Sequence, residues 1–86
     1  MKTAKKYLII YDGNLTGNEY HGDIISISDT KEDAQTVLKG IIKEDDELYG
    51  RMIPILSTDT KHTALSESDQ SVWCCYEIKE IKVYVR

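Results

Sequence analysis

Asp29-Thr30-Lys31-Glu32-Asp33-Ala34-Gln35-Thr36-Val37-Leu38-Lys39-Gly40-Ile41-Ile42 decides the fold, because its apolar residues recur at helical spacing. Ala34, Val37, Leu38, Ile41 and Ile42 form one stripe, with Glu32, Thr36, Lys39, Lys43 and Glu47 on the opposite face. Ser28-Asp29-Thr30 supplies three candidate N-caps, and Asp29 with Glu32 three residues on fits a capping box. Continuing the stripe places Asp45 at its centre. The helix is therefore expected to stop or change direction near Glu44, with Leu48 and Tyr49 packing from one further turn before Gly50.

Upstream, Lys6–Tyr11 is a compact run of aromatic and β-branched residues that reads as a strand and ends at the turn formers Asp12-Gly13-Asn14. Leu15–Gly22 reads as a long hairpin loop or a loop with frayed strand ends. Asp23–Ser28 reads as a second strand, with Ile25 and Ile27 on one face and Ile24 on the other. So short a connection makes the two strands antiparallel. Downstream, Pro54 confines Met52-Ile53-Pro54-Ile55-Leu56 to an edge strand or an extended segment, and the polar stretch Ser57–Ser71 reads as a mobile loop. Val72 to Val85 is the longest strand candidate. Tyr76 and Ile78 share one parity while Ile81, Val83 and Val85 share the other, so a bulge near Lys79-Glu80 is expected to bring all of them to the core.

The expected architecture is α+β, a single domain over 1–86. It has an antiparallel sheet of three to four strands with one main helix packed on one face, in the order β-β-α-β-β. The helix stripe is expected to lie on Leu8, Ile10, Ile25, Ile27, Ile78, Ile81 and Val83.

This order resembles a broad, largely uncharacterised group of small bacterial and phage proteins with a ββαβ plan. The resemblance is carried by Tyr7-Leu8-Ile9-Ile10-Tyr11, Ile24-Ile25-Ser26-Ile27-Ser28, the helix opening at Asp29-Thr30-Lys31-Glu32-Asp33-Ala34, and Tyr76-Glu77-Ile78-Lys79-Glu80-Ile81-Lys82-Val83. It covers roughly half the chain in structural positions and carries no functional residue across. Met52–Ser71 departs from the shortest members, which places any individual function there.

Charge narrows the function classes. The chain has 11 Lys+Arg against 15 Asp+Glu, a net charge of −4, and all of that excess falls in residues 29–50. A basic face that neutralises phosphates is missing, so direct nucleic-acid binding is not expected. An acidic segment on an otherwise neutral body favours a protein partner with a basic surface. No run approaches the ~20 apolar residues of a membrane span. The apolar run after Lys5-Lys6 stops at Asp12-Gly13, unlike a signal peptide. Adjacent Cys74 and Cys75 form no framework disulfide, and a cytoplasmic setting is expected.

Several constellations invite chemistry. Asp12, Asn14, Thr16 and Asp23, with Gly17 between, have part of the spacing of a calcium loop. Strand-like flanks and Glu19 at the eighth place favour a polar hairpin, so neither metal nor cofactor is assigned. In a strand the two cysteine side chains point to opposite faces, which gives one core cysteine and one half-exposed. Neither is assigned as a nucleophile with His21 or His62. Phosphate-cradling glycine motifs and hydrolase or zinc-protease signatures are missing, and no enzymatic activity is expected.

What remains is a binding surface. Glu44, Asp45, Asp46 and Glu47, beside Tyr49, form the expected acidic docking site, and Trp73 is the expected interface anchor. The functional expectation is a non-enzymatic protein-binding module. Its concrete form is an inhibitor from a phage or mobile element, docked on a basic site of a host nucleic-acid-acting defence protein. The alternative is a self-associating structural protein, a homodimer paired through an exposed strand edge.

Overall fold

The computed structural model describes residues 2–85. Five strands and one helix follow in the order β1 (Lys2–Asn14), β2 (Tyr20–Ser28), α1 (Lys31–Tyr49), β3 (Met52–Ser57), β4 (Lys61–Ser66) and β5 (Trp73–Val85). They build one antiparallel sheet in the spatial order β2-β1-β5-β4-β3. The α+β class and the single helix on one face agree with the sequence reading, but the sheet has five strands. The extra one, β4, lies inside the stretch expected to be a mobile loop. His62, Ala64 and Ser66 alternate as buried residues along it, and it pairs with both β3 and β5.

The register fixes which side chains meet the helix, since directly paired residues share a face. Ile9 opposes Ile78, Tyr11 opposes Tyr76 and Gly13 opposes Cys74. Ile9, Cys74, Tyr76 and Ile78 join Ala34, Leu38, Met52 and Ala64 in the buried core. Pairing of β1 with β5 runs from Lys2–Val85 to Asn14–Trp73 without a break. The expected bulge at Lys79-Glu80 is therefore missing, and Ile81 and Val83 fall on the face away from the helix; the side chain of Val85 lies outside the described residues. Leu8 and Ile10 likewise have the parity opposite to Ile9, and Leu8 is buried outside the core cluster. An irregularity falls instead in β2, between the pairs Ile9–Ser26 and Ile10–Ile24. It separates Ile25 from Ile27, which the sequence reading placed on one face. Ile27, opposite Leu8, turns away from the helix, whereas Ile25 lines a cavity beneath it.

Thr30 caps α1. Its backbone is extended and its Oγ1 accepts the Asp33 N–H at 3.1 Å. Asp29 instead pairs with Lys6 at the sheet edge. The helix does not stop near Glu44 but runs to Tyr49, with Gly50 at φ +78° ending it. A carboxylate in the middle of the apolar stripe is tolerated because it finds a buried donor.

Candidate functional site

That donor is Tyr76. Asp45 is 7% exposed, and its Oδ2 accepts a hydrogen bond from the Tyr76 hydroxyl. Tyr76 itself is 2% exposed and stacks on Tyr11, ring centroids 5.3 Å apart; Tyr11 in turn meets Tyr20 at 6.1 Å. Tyr11, Tyr20, Tyr49 and Tyr76, with Leu15, Thr16 and Ile25, line an open pocket of about 290 Å³. The N-terminal residue of α1, Lys31, lines a cavity with Tyr7 and Glu80, while its last residue, Tyr49, reaches Tyr11 and Tyr20. The helix therefore runs in the same direction as β1, and its C-terminus closes the pocket.

Gly13 makes the ring stack possible. A Cβ there would stand 2.7 Å from the Trp73 carbonyl oxygen and 2.8 Å from the Tyr11 ring. A side chain would displace either the strand or the tyrosine.

The pocket is electronegative. The last helical turn has no basic residue, so the partial negative charge of the helix C-terminus is not offset there. Burial raises the Asp45 carboxyl above the ordinary carboxylate range, the Tyr76 hydrogen bond pulls it partly back, and Glu44 and Asp46 push it up again. Burial and the Asp45 carboxylate together raise Tyr76, and burial takes Tyr11 up to about 12. Tyr11 and Tyr76 are therefore neutral rings at physiological pH.

The acidic run does not act as one surface. Asp45 faces inward, and Asp46 accepts the Met52 N–H at 2.9 Å, fastening the start of β3 to the helix end. Glu44 and Glu47 remain exposed. Tyr49 lines the pocket beside Tyr76 and Asp45 is bonded to Tyr76 without lining the pocket itself, but Trp73 does not join them. It opens β5, half-buried, opposite Asn14 and Leu65, with the parity of the face away from the helix. Tyr11, Tyr20 and Tyr76 escaped the sequence reading as a site. The available signal was six tyrosines with no phenylalanine, together with an aspartate at the centre of the helix stripe.

The remaining titratable groups have structural settings. Cys74 is buried and its thiol is pushed up to about 12, first by burial and then by Asp45, which removes thiolate reactivity. Half-buried Cys75 accepts a hydrogen bond from the Thr63 hydroxyl at 3.4 Å. Asp12 accepts the Gly22 N–H at 2.7 Å across the β1–β2 hairpin. Buried His62 contacts the Ser57 hydroxyl at 3.3 Å, and burial holds its imidazole below the usual value. Among the described residues there is no cluster of three metal-ligating side chains, and no helix is long and apolar enough to cross a membrane.

Comparison of the chain with protein-family models, with curated proteins and with solved structures returns no match.

Proposed function

We propose that the protein is a non-enzymatic protein-binding module that takes a cationic side chain of a basic partner into its tyrosine-lined pocket. The observation that carries this reading is the convergence of four tyrosines at a helix C-terminus that has acids and no bases, with the Asp45 carboxyl directly behind Tyr76. Aromatic rings attract ammonium and guanidinium groups through their quadrupoles, and a cation is further favoured at the negative end of a helix. Glu44 and Glu47 are exposed on the last turns of the same helix, where exposed charge steers encounter more than it adds affinity. The concrete form is an inhibitor, carried by a phage or other mobile element, seated on a host nucleic-acid-acting enzyme whose lysines and arginines otherwise hold phosphate.

Titration of the protein with oligolysine, followed by tyrosine fluorescence, tests the pocket. Tyr20→Ala removes a ring that is 41% exposed and lies outside the core. It is expected to weaken binding about tenfold, the worth of one desolvated cation–π contact. Glu44→Lys with Glu47→Lys is expected to slow association with little change in thermal stability. Equal binding by wild type and Tyr20→Ala, or no binding by wild type, refutes the pocket.

A further inference from the structure

The helix covers one side of the sheet, and among the described residues the other side has no second layer. Its apolar residues extend from edge to edge. Ile24 and Ile27 on β2 are 58% and 67% exposed, and Ile53 and Leu56 on β3 are each 45% exposed. Half-buried Ile10, Ile81, Trp73 and Leu65 fill the strands between them. The register places all of these on the one face in two groups, Ile24, Ile27, Ile10 and Ile81 toward β2, and Trp73, Leu65, Ile53 and Leu56 toward β3. Five strands at about 4.8 Å spacing and the roughly nine residues of β5 from Trp73 to Ile81 give a flat footprint on the order of 600 Å². Across the middle of that footprint Glu77 opposes Lys61 and Cys75 opposes Thr63, so the apolar side chains lie on either side of a polar strip; large exposed apolar side chains set among polar ones mark an interaction surface.

The whole molecule points the same way. Its accessible surface is 5912 Å², where a compact monomer of 9.8 kDa exposes about 5200 Å². The excess is close to the ~800 Å² that one partner gives to an interface of ordinary size. The radius of gyration is 14.1 Å against about 12 Å for a compact chain of this length. Part of that extension is a two-stranded ribbon, residues 2–6 paired only with 81–85. A two-stranded ribbon alone is marginal in water.

We infer that the open face packs against the same face of a second copy, making a two-fold dimer with the sheets in the middle and the helices outside. A second copy fits this face because it carries large exposed apolar side chains and because its charges are unevenly placed along the strands. Lys2, Lys79 and Lys6, the last already paired with Asp29, lie on it toward the ribbon end, whereas Glu77 and Asp12 lie on it toward the hairpin end, with Lys61 opposite Glu77. A two-fold axis across the strands sets the basic ribbon of each copy over the acidic end of the other. An axis along the strands would stack like charges. Sheets packed this way sit ~10 Å apart with strands about 30° off alignment, which suits twisted five-stranded sheets.

Sedimentation velocity over a hundredfold concentration series tests the inference. Wild type is expected at twice the 9.8 kDa chain mass at the upper end. Ile27→Lys and Leu56→Lys replace side chains already exposed in the monomer, so the fold is retained, as circular dichroism will show, and each is expected to weaken the dimer at least tenfold. Lys39→Glu, on the outer face of the helix, is expected to leave it unchanged. Raised salt is expected to weaken wild type modestly, as the crossed charge arrangement requires. A wild-type monomer at every concentration overturns the inference and leaves the face to a different protein. A dimer that survives both lysine substitutions also overturns it, since the copies would then be joined by strand edges.

Discussion

Asp45→Asn tests the buried pair at the base of the pocket. A carboxylate taken out of water loses several kcal/mol of hydration even after local relaxation. The Tyr76 hydroxyl returns ~1.5–3 kcal/mol, the range for a hydrogen bond to a charged group. An asparagine amide oxygen accepts the same hydroxyl for ~0.5–1.5 kcal/mol and carries no charge to desolvate. The exchange is therefore expected to stabilise the protein by about 1 kcal/mol at neutral pH, which raises Tm by roughly 4–8 °C for a chain of this size. The advantage shrinks with acid. Burial raises the folded-state carboxyl, so the folded protein holds this proton more tightly than the unfolded chain. Wild type thus gains stability as pH falls through the raised value toward the unfolded carboxylate pKa of about 4, and the advantage of Asp45→Asn closes over that window. Thermal melts by circular dichroism at neutral pH and near pH 4 measure both limbs. Tyr76→Phe, which leaves the carboxyl without its donor, is expected to cost ~1–3 kcal/mol. The same Asp45→Asn protein should bind oligolysine more weakly, because the charge behind Tyr76 is gone. A variant that is less stable than wild type at neutral pH, or whose advantage is unchanged by acid, refutes the account of Asp45 as a desolvated carboxylate.

Three further outcomes follow from single contacts. Gly13→Ala forces a Cβ to within 2.7 Å of the Trp73 carbonyl and is expected to cost ~1–3 kcal/mol in urea denaturation, with loss of oligolysine binding as Tyr11 shifts. Thr30→Ala removes the cap of α1 and is expected to cost ~1 kcal/mol, whereas Asp29→Ala breaks only an exposed pair and should change stability by under ~0.5 kcal/mol. Burial depresses the His62 imidazole, so the unfolded chain binds that proton first and stability falls as pH drops below about 6.5. This limb opposes that of Asp45. It should be visible alone in Asp45→Asn and be abolished by adding His62→Gln.

The helix was legible because Ala34, Leu38, Ile41 and Ile42 keep their spacing under any tertiary arrangement. Its end was misread at Asp45. A charged residue in an apolar stripe looks like a stop until the buried hydroxyl that receives it is known, and Tyr76 lies 31 residues away. Strand β4 was hidden for a related reason. Lys61-His62-Thr63-Ala64-Leu65-Ser66 alternates, but its inward residues are histidine, alanine and serine, small or polar groups that no hydropathy pattern separates from a loop. The face assignments failed at one assumption, that every isoleucine in β1, β2 and β5 belongs under the helix. A strand with apolar residues at both parities indicates two apolar faces, and the open one was misassigned to a bulge. The acidic run illustrates the converse. Four consecutive acids read as one surface, yet helical geometry turned Asp45 inward and gave Asp46 to the Met52 N–H.

The pocket and the open face occupy opposite sides of the sheet, so the two interactions need not compete. With the two-fold axis across the strands, the dimer carries its two pockets at opposite ends, each on an outer surface. The long dimension of a single chain is 51 Å, so the pockets are too far apart for one short peptide and well placed for a broad basic surface. Bivalent engagement raises apparent affinity ~10²–10⁴-fold without any new contact, provided the partner spans the distance. A short lysine peptide should therefore bind wild type and the Ile27→Lys monomer equally, and a dense polylysine surface should hold the dimer far longer. If polylysine releases both proteins at the same rate, the two pockets do not act together, whatever the oligomeric state. If the short peptide itself distinguishes them, the dimer contact reaches the pocket, and the sheet face and the tyrosine cluster form one site.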